Sequence, residues 1–306
     1  DLIMEMAKDP KNADNYHKLS RLYLQLEDYD KVMSVLESLL TIYPTDVQAL
    51  VGMGTMWFYE KDFRKSLSYY NKALEINPKN YLIYYNIGNV FAEWKNFPKA
   101  LFYYNRAIDL NATNPEIYNA IALLYQDNEE YIESKAYYEK ALSLDPENIT
   151  ALVDMGNVCF KIFDYETALD LYKRVFALNI DNKVVAICIG NTYTLMKKRE
   201  EAYSYYEKAL TMEGDNYRAY ICYAISLSEF GENEMAIAMY EKAKEDHTLR
   251  TDIPFEEFMR QTVHVMMAVC TYYANGFIWG SDRNKDYITE LTRIKEMLVS
   301  FAKDKR

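Results

Sequence analysis

The sequence predicts an all-α protein, a solenoid of stacked helix-turn-helix units, and three observations lead there. A Tyr-rich phrase recurs with a fixed period: YYNKALEINP at 69, YYNRAIDLNA at 103, YYEKALSLDP at 137, LYKRVFALNI at 171 and YYEKALTMEG at 205, each start 34 residues after the last. Within each period large apolar residues fall at helical rather than strand spacing, as in Tyr84, Ile87 and Phe91 or Tyr118, Ile121 and Tyr125. Only nine glycines and seven prolines in 306 residues leave little material for hairpins and long loops.

The register divides residues 13–250 into seven units: 13–46, 47–80, 81–114, 115–148, 149–182, 183–216 and 217–250. Each unit holds two helices. The first carries its apolar stripe at places four, seven and eleven, and its eighth place is always small: Ser20, Gly54, Gly88, Ala122, Gly156, Gly190 and Ala224. The second helix has Val32, Ser66, Ala100, Ser134, Ala168, Ala202 and Ala236 at place twenty. Recurrent small residues on both helices let the pair approach closely. At place twenty-four stand Leu36, Tyr70, Tyr104, Tyr138, Tyr172, Tyr206 and Tyr240, with Ala73, Ala107, Ala141 and Ala209 one turn later in four of the units. These large rings and small methyls are expected to stack one unit on the next. Pro44, Pro78 and Pro146, with Asn and Asp nearby, end the second helices. A single unit cannot bury such a stripe, so stacked neighbours and caps are required.

Outside the array, residues 1–12 fit the end of a preceding repeat or an N-terminal cap, because Pro10 falls on the place-thirty-two register. With no initiator Met, the chain is expected to be cut from a longer array. Residues 251–306 are expected to form capping helices, at 255–275 and 284–303, with GFIWG at 276–280 folded back between them.

These residues resemble the tetratricopeptide repeat family over 13–250. Its pattern of a large residue at place four, Leu-Gly at seven and eight, Tyr at eleven, Ala at twenty, an aromatic at twenty-four, Ala at twenty-seven and Pro at thirty-two is met by WFYEKDFRKSLSYYNKALEINP and YYNIGNVFAEWKNFPKALFYYNRAI. Cys159 and Leu227 depart from it at place eleven, Val175 at place twenty-seven, and Pro is missing from four units. The resemblance implies a right-handed superhelix with a concave groove lined by first helices.

Composition excludes several functions. The net charge of -11 repels nucleic acid and bare anionic membranes, and no apolar run is long enough to span a bilayer. Cys159, Cys188, Cys222 and Cys270 lack zinc-type spacing and the three histidines are scattered, so neither metal nor cofactor is expected. Thiols in a reducing compartment favour a soluble, cytoplasmic protein. No nucleophile, phosphate-loop or metalloprotease motif is present, and the carboxylates pair with lysines, as in YYEKAL, so no enzyme activity is expected.

A binding function falls to the groove places that the resemblance assigns. The candidates are Phe58, Tyr59, Tyr85, Asn86, Asn89, Val153, Asn157, Phe160, Ile187, Asn191 and Ile221. Asn89, Asn157 and Asn191 recur at place nine after a glycine, and an amide can hold the backbone of an extended peptide, or else simply cap neighbouring groups. The acidic-tail clamp of co-chaperone members is disfavoured: place five holds His17, Val51, Tyr85, Asn119, Val153, Ile187 and Ile221, with no lysine, and Asn86 alone fits. Basic residues cluster on this face only at His17, Lys18 and Arg21. Two readings follow: a non-catalytic scaffold that binds a peptide or partner segment in the groove and supports a larger complex, or the substrate-recognition arm of an enzyme resembling O-GlcNAc transferase. Self-association through an array end is a further expectation.

Overall fold

The computed structural model describes residues 9–178, 182–214 and 216–245, which are helical with no strand among them. The capping helices expected within 251–306, the GFIWG turn, Cys270 and residues 1–8 lie outside the described residues. The chain divides into two compact units, residues 1–212 with 229–231, and residues 213–228 with 232–306.

The first unit is an α-solenoid of six helix pairs. They are α1 (Ala13–Gln25) with α2 (Tyr29–Ile42), α3 (Val47–Tyr59) with α4 (Phe63–Ile76), and α5 (Tyr81–Glu93) with α6 (Phe97–Leu110). Then follow α7 (Pro115–Asp127) with α8 (Tyr131–Leu144), α9 (Ile149–Lys161) with α10 (Tyr165–Ala177), and α11 (Lys183–Leu195) with α12 (Arg199–Thr211). Each helix packs on its sequence neighbours, and α3, α5, α7 and α9 also touch in series, so first helices form one continuous layer. The second unit contains most of α13 (Tyr217–Glu229) and α14 (Asn233–Glu245), where Ala224, Ala236 and Ala243 are buried.

Helix starts follow from side-chain caps that the repeat supplies twice per unit. Asn12, Asp46, Asn80, Asn114, Asn148 and Asn182 accept a backbone N–H at the start of first helices. Asp28, Asp62, Asn96 and Asp164 do so for second helices. Glu130 and Lys198 occupy the same place and provide no cap hydrogen bond. Lys198 also sets a positive charge at the positive end of α12. Lys198→Asp is therefore expected to stabilise the chain by about 0.5–1 kcal/mol, read as a higher urea midpoint; an unchanged midpoint would refute the capping account.

The turn between the helices of a pair always passes through the left-handed region at place fifteen. Glu27, Lys61, Lys95, Glu129, Phe163 and Lys197 all have φ between 56° and 65°, and in the seventh unit the position is Gly231. The turn is closed by backbone bonds that span it, such as Asp62 N to Trp57 O and Asn96 N to Phe91 O, so side chains are held where glycine is the usual choice.

The interior of each pair is built around the place-twenty-four ring. Tyr70, Tyr104, Tyr138, Tyr172 and Tyr206 are all buried, and the small place-eight residue makes room for the ring. A methyl added at Gly88 would lie 2.5 Å from both Cδ1 and Cε1 of Tyr104, and Gly54, Gly156 and Gly190 meet Tyr70, Tyr172 and Tyr206 in the same way. The ring thus packs across the two helices of its own unit, while Leu36, at the same place of the first unit, lies against Gly52 of the second, so place twenty-four serves both the pair and the stack. Where place twenty is serine its hydroxyl is satisfied within the pair: Ser66 donates to Gly54 O at 2.7 Å and Ser134 to Ala122 O at 2.8 Å.

Candidate functional site

Each buried tyrosine at place twenty-four ends in a hydroxyl that must be satisfied, and in four of the units place nine supplies the partner. Tyr104 donates to Asn89 Oδ1 at 2.7 Å, Tyr172 to Asn157 Oδ1 at 2.8 Å and Tyr206 to Asn191 Oδ1 at 2.7 Å. In the second unit of the repeat, Thr55 Oγ1 meets Tyr70 Oη at 3.0 Å. The fourth has Leu123 at place nine, and there Tyr138 reaches Gln126 Oε1 instead, at 3.4 Å. The Gly-Asn pair is therefore one device: glycine admits the ring and asparagine accepts its hydroxyl. Burial pushes the Tyr70 phenol up to about 12 and drives Tyr104 and Tyr138 higher still, so all three stay neutral donors.

On the layer of first helices lies a cavity of about 420 Å³, wholly within the first unit. Phe58 of α3 closes one end, and α5 contributes Tyr85, Asn89 and Glu93. From α7 come Glu116, Asn119, Leu123 and Asp127, and from α9 Thr150 and Asp154, with Tyr104 and Tyr138 reaching in from α6 and α8. The geometry follows from the register: places two, five, six, nine and thirteen of consecutive first helices face the same side.

The cavity gathers three of the sequence candidates, Phe58, Tyr85 and Asn89. Tyr59 is 58% exposed beside it, its ring 5.9 Å from Phe58 and 6.1 Å from Tyr29. Asn86, Val153, Asn157 and Phe160 are half-buried on α5 and α9 and do not line it, and Phe160 packs edge-on against Tyr165 at 5.6 Å. Asn191 is half-buried on α11, and Ile187 is buried in the core there. Ile221 is half-buried on α13. Of the basic group in the first repeat, His17 Nε2 sits 3.1 Å from Asp46 Oδ2.

Glu116, Asn119, Leu123, Asp127 and Asp154, outside the named candidates, also line the cavity, although the resemblance already puts Asn119 and Asp154 at groove places. Their places in the register were the available signal: an acidic residue recurs at place thirteen, as Glu93, Asp127 and Glu229, while Asn119, Leu123 and Asp154 stand alone at theirs. Charge there is mostly negative. Glu93 pairs with Lys61 at 3.3 Å and Asp127 with Lys95 at 3.3 Å. Asp154 makes no hydrogen bond or ion pair among the described residues, and burial holds its carboxyl above the ordinary carboxylate range. Asn119 Oδ1 is buried and accepts no hydrogen bond.

Cys159 is buried and its thiol is pushed up to about 11 by that burial, the reverse of what a nucleophile needs. Among the described residues no group of His, Cys, Asp and Glu is placed to hold a metal, no disulfide forms, and no helix is long and apolar enough to cross a membrane.

Comparison with known proteins agrees with this architecture. Tetratricopeptide repeat models match residues 13–46, 48–80, 81–114, 114–181 and 189–216, well over half of the chain. No curated protein matches it in sequence. Among solved structures, pilF of Pseudomonas aeruginosa is 18% identical with a TM-score of 0.57, covering 78% of this chain and 99% of that one. Cut9–Hcn1, a hetero-tetramer of the APC/C, is 16% identical with a TM-score of 0.58, covering 79% and 44%. A tetratricopeptide repeat protein from Parabacteroides merdae is 18% identical with a TM-score of 0.57, covering 83% and 98%. At these identities the likeness is one of fold. Repeats of this kind make the chain, in general terms, a protein-interaction scaffold. The period read from the sequence, the helix pairs and the matches along the array converge: the chain belongs to the tetratricopeptide repeat family.

Proposed function

We propose that the chain is a non-catalytic scaffold that holds an extended segment of another protein along its layer of first helices and so helps to assemble a larger complex. The observation that carries this reading is the cavity of about 420 Å³ between α3, α5, α7 and α9, with aromatic walls and a few convergent polar groups. Leu123, 47% exposed on its lining, offers apolar contact to an incoming segment. The alternative of a substrate-recognition arm was drawn from the Gly-Asn pairs. Their carboxamide oxygens are used by buried tyrosines, so those pairs no longer argue for it.

A photo-crosslinking residue at position 123 is expected to trap a protein partner in the native cell, while the same residue at position 102, where Phe102 is 54% exposed on α6, should trap none. Adducts from position 102 and none from position 123 would overturn the groove reading.

A further inference from the structure

We propose that the cavity takes a lysine or arginine side chain from the bound segment, its charge held by Asp154 and Glu116 and one of its N–H groups received by the Asn119 carbonyl. This rests on the groove reading above and adds to it the chemistry of the partner.

Some of the cavity's carboxylates are already in use. Of the four that line the cavity, Glu93 and Asp127 are bound to Lys61 and Lys95. Asp154 and Glu116 have no ion-pair partner among the described residues. Glu116 is exposed at the first turn of α7, but Asp154 is half-buried in the middle of α9, where an ionised carboxylate has lost part of its water without a compensating charge. A cation from outside restores that loss. An acidic or neutral side chain does not.

Two further features fit a cation and not an anion. Asn119 Oδ1 is a buried acceptor without a donor, a costly state that a guanidinium or ammonium can relieve. Tyr85, Tyr104 and Tyr138 give the cavity an aromatic lining against which the aliphatic stem of lysine or arginine packs while its head reaches the carboxylates. The chain's net charge of -11 favours encounter with a basic segment as well. The same acidic lining explains in physical terms why this groove would reject the acidic tails taken by clamp-bearing relatives.

The test is selection of peptides from a random phage-displayed library on the immobilised full chain, repeated on Asp154→Asn and on Leu123→Arg, with circular dichroism to verify that both variants stay folded. Peptides retained by the wild-type protein and lost on Leu123→Arg should carry lysine or arginine at one fixed position. Replacing that peptide residue with norleucine should weaken binding about tenfold or more for the wild type and little for Asp154→Asn. Groove-dependent peptides without a fixed basic residue, or a basic preference unchanged in Asp154→Asn, would overturn the inference and leave the groove reading standing. Failure to select any peptide sensitive to Leu123→Arg would overturn the groove reading and this inference together.

Discussion

Gly88→Ala is expected to destabilise the chain by about 1–3 kcal/mol, although alanine is the better helix former by about 1 kcal/mol. The added methyl would lie 2.5 Å from Cδ1 and Cε1 and 3.2 Å from Cγ of Tyr104, a distance no carbon pair tolerates. The ring has little freedom to step aside, being 2% exposed with its hydroxyl held by Asn89; in the fourth unit, where Ala122 stands at place eight, the Tyr138 hydroxyl reaches Gln126 instead of place nine. Overpacking must therefore outweigh the gain in propensity. Gly52→Ala is the matched control, since the nearest atoms to its methyl all belong to the Leu36 side chain, with Cδ1 at 2.8 Å the one close contact, at the end of a side chain that can rotate. There the propensity gain should survive, leaving that variant neutral or slightly more stable. Urea unfolding of both variants decides the matter; equal effects would remove the ring-and-glycine account of the repeat. The first repeat pairs the larger Ser20 at place eight with the smaller Leu36 at place twenty-four. Tyr104→Leu should accordingly recover part of the loss in the Gly88→Ala background.

Asn89→Leu should cost about 1–3 kcal/mol, because it takes away the acceptor of the Tyr104 hydroxyl. Leucine rather than alanine is the informative choice, since alanine leaves space for a water to take over the bond. The double variant Asn89→Leu with Tyr104→Phe removes donor and acceptor together and should return close to the stability of the parent. A thermodynamic cycle over the four proteins gives the coupling directly. If the double variant were as unstable as the sum of the singles, the hydroxyl–amide bond would not be the reason for asparagine at place nine. The repeat itself offers a precedent for the apolar choice. Leu123 stands at place nine of the fourth unit, where Tyr138 finds Gln126 instead.

These two cases show what a periodic sequence discloses. The 34-residue period, the helical spacing and the small place-eight residues led to the correct class of fold, because each is a local constraint repeated often enough to be unmistakable. The caps were half visible: prolines at place thirty-two were noticed, while the Asn and Asp side chains that start the helices were not assigned their role. The left-handed residue at place fifteen was hidden, since six of seven units fill it with Glu, Lys or Phe rather than glycine. The recurrent asparagine was conspicuous but open to two meanings, ligand contact or internal cap. Only the distance to a tyrosine fifteen residues away shows that its carboxamide oxygen serves the interior.

The candidate site was less legible than the fold for a related reason. A repeated residue announces itself, whereas Asn119 and Asp154 occur once each at their places and carry no periodic signal. The amino-acid sequence by itself determined the class, the helix pairing and the side of each first helix that faces its neighbours, because these depend on spacing along one helix. Tertiary structure alone decided which tyrosine meets which glycine, which carboxylates are already paired and which remain unpaired. Pairing and burial depend on where separate helices place their atoms, a relation that no spacing along the chain contains.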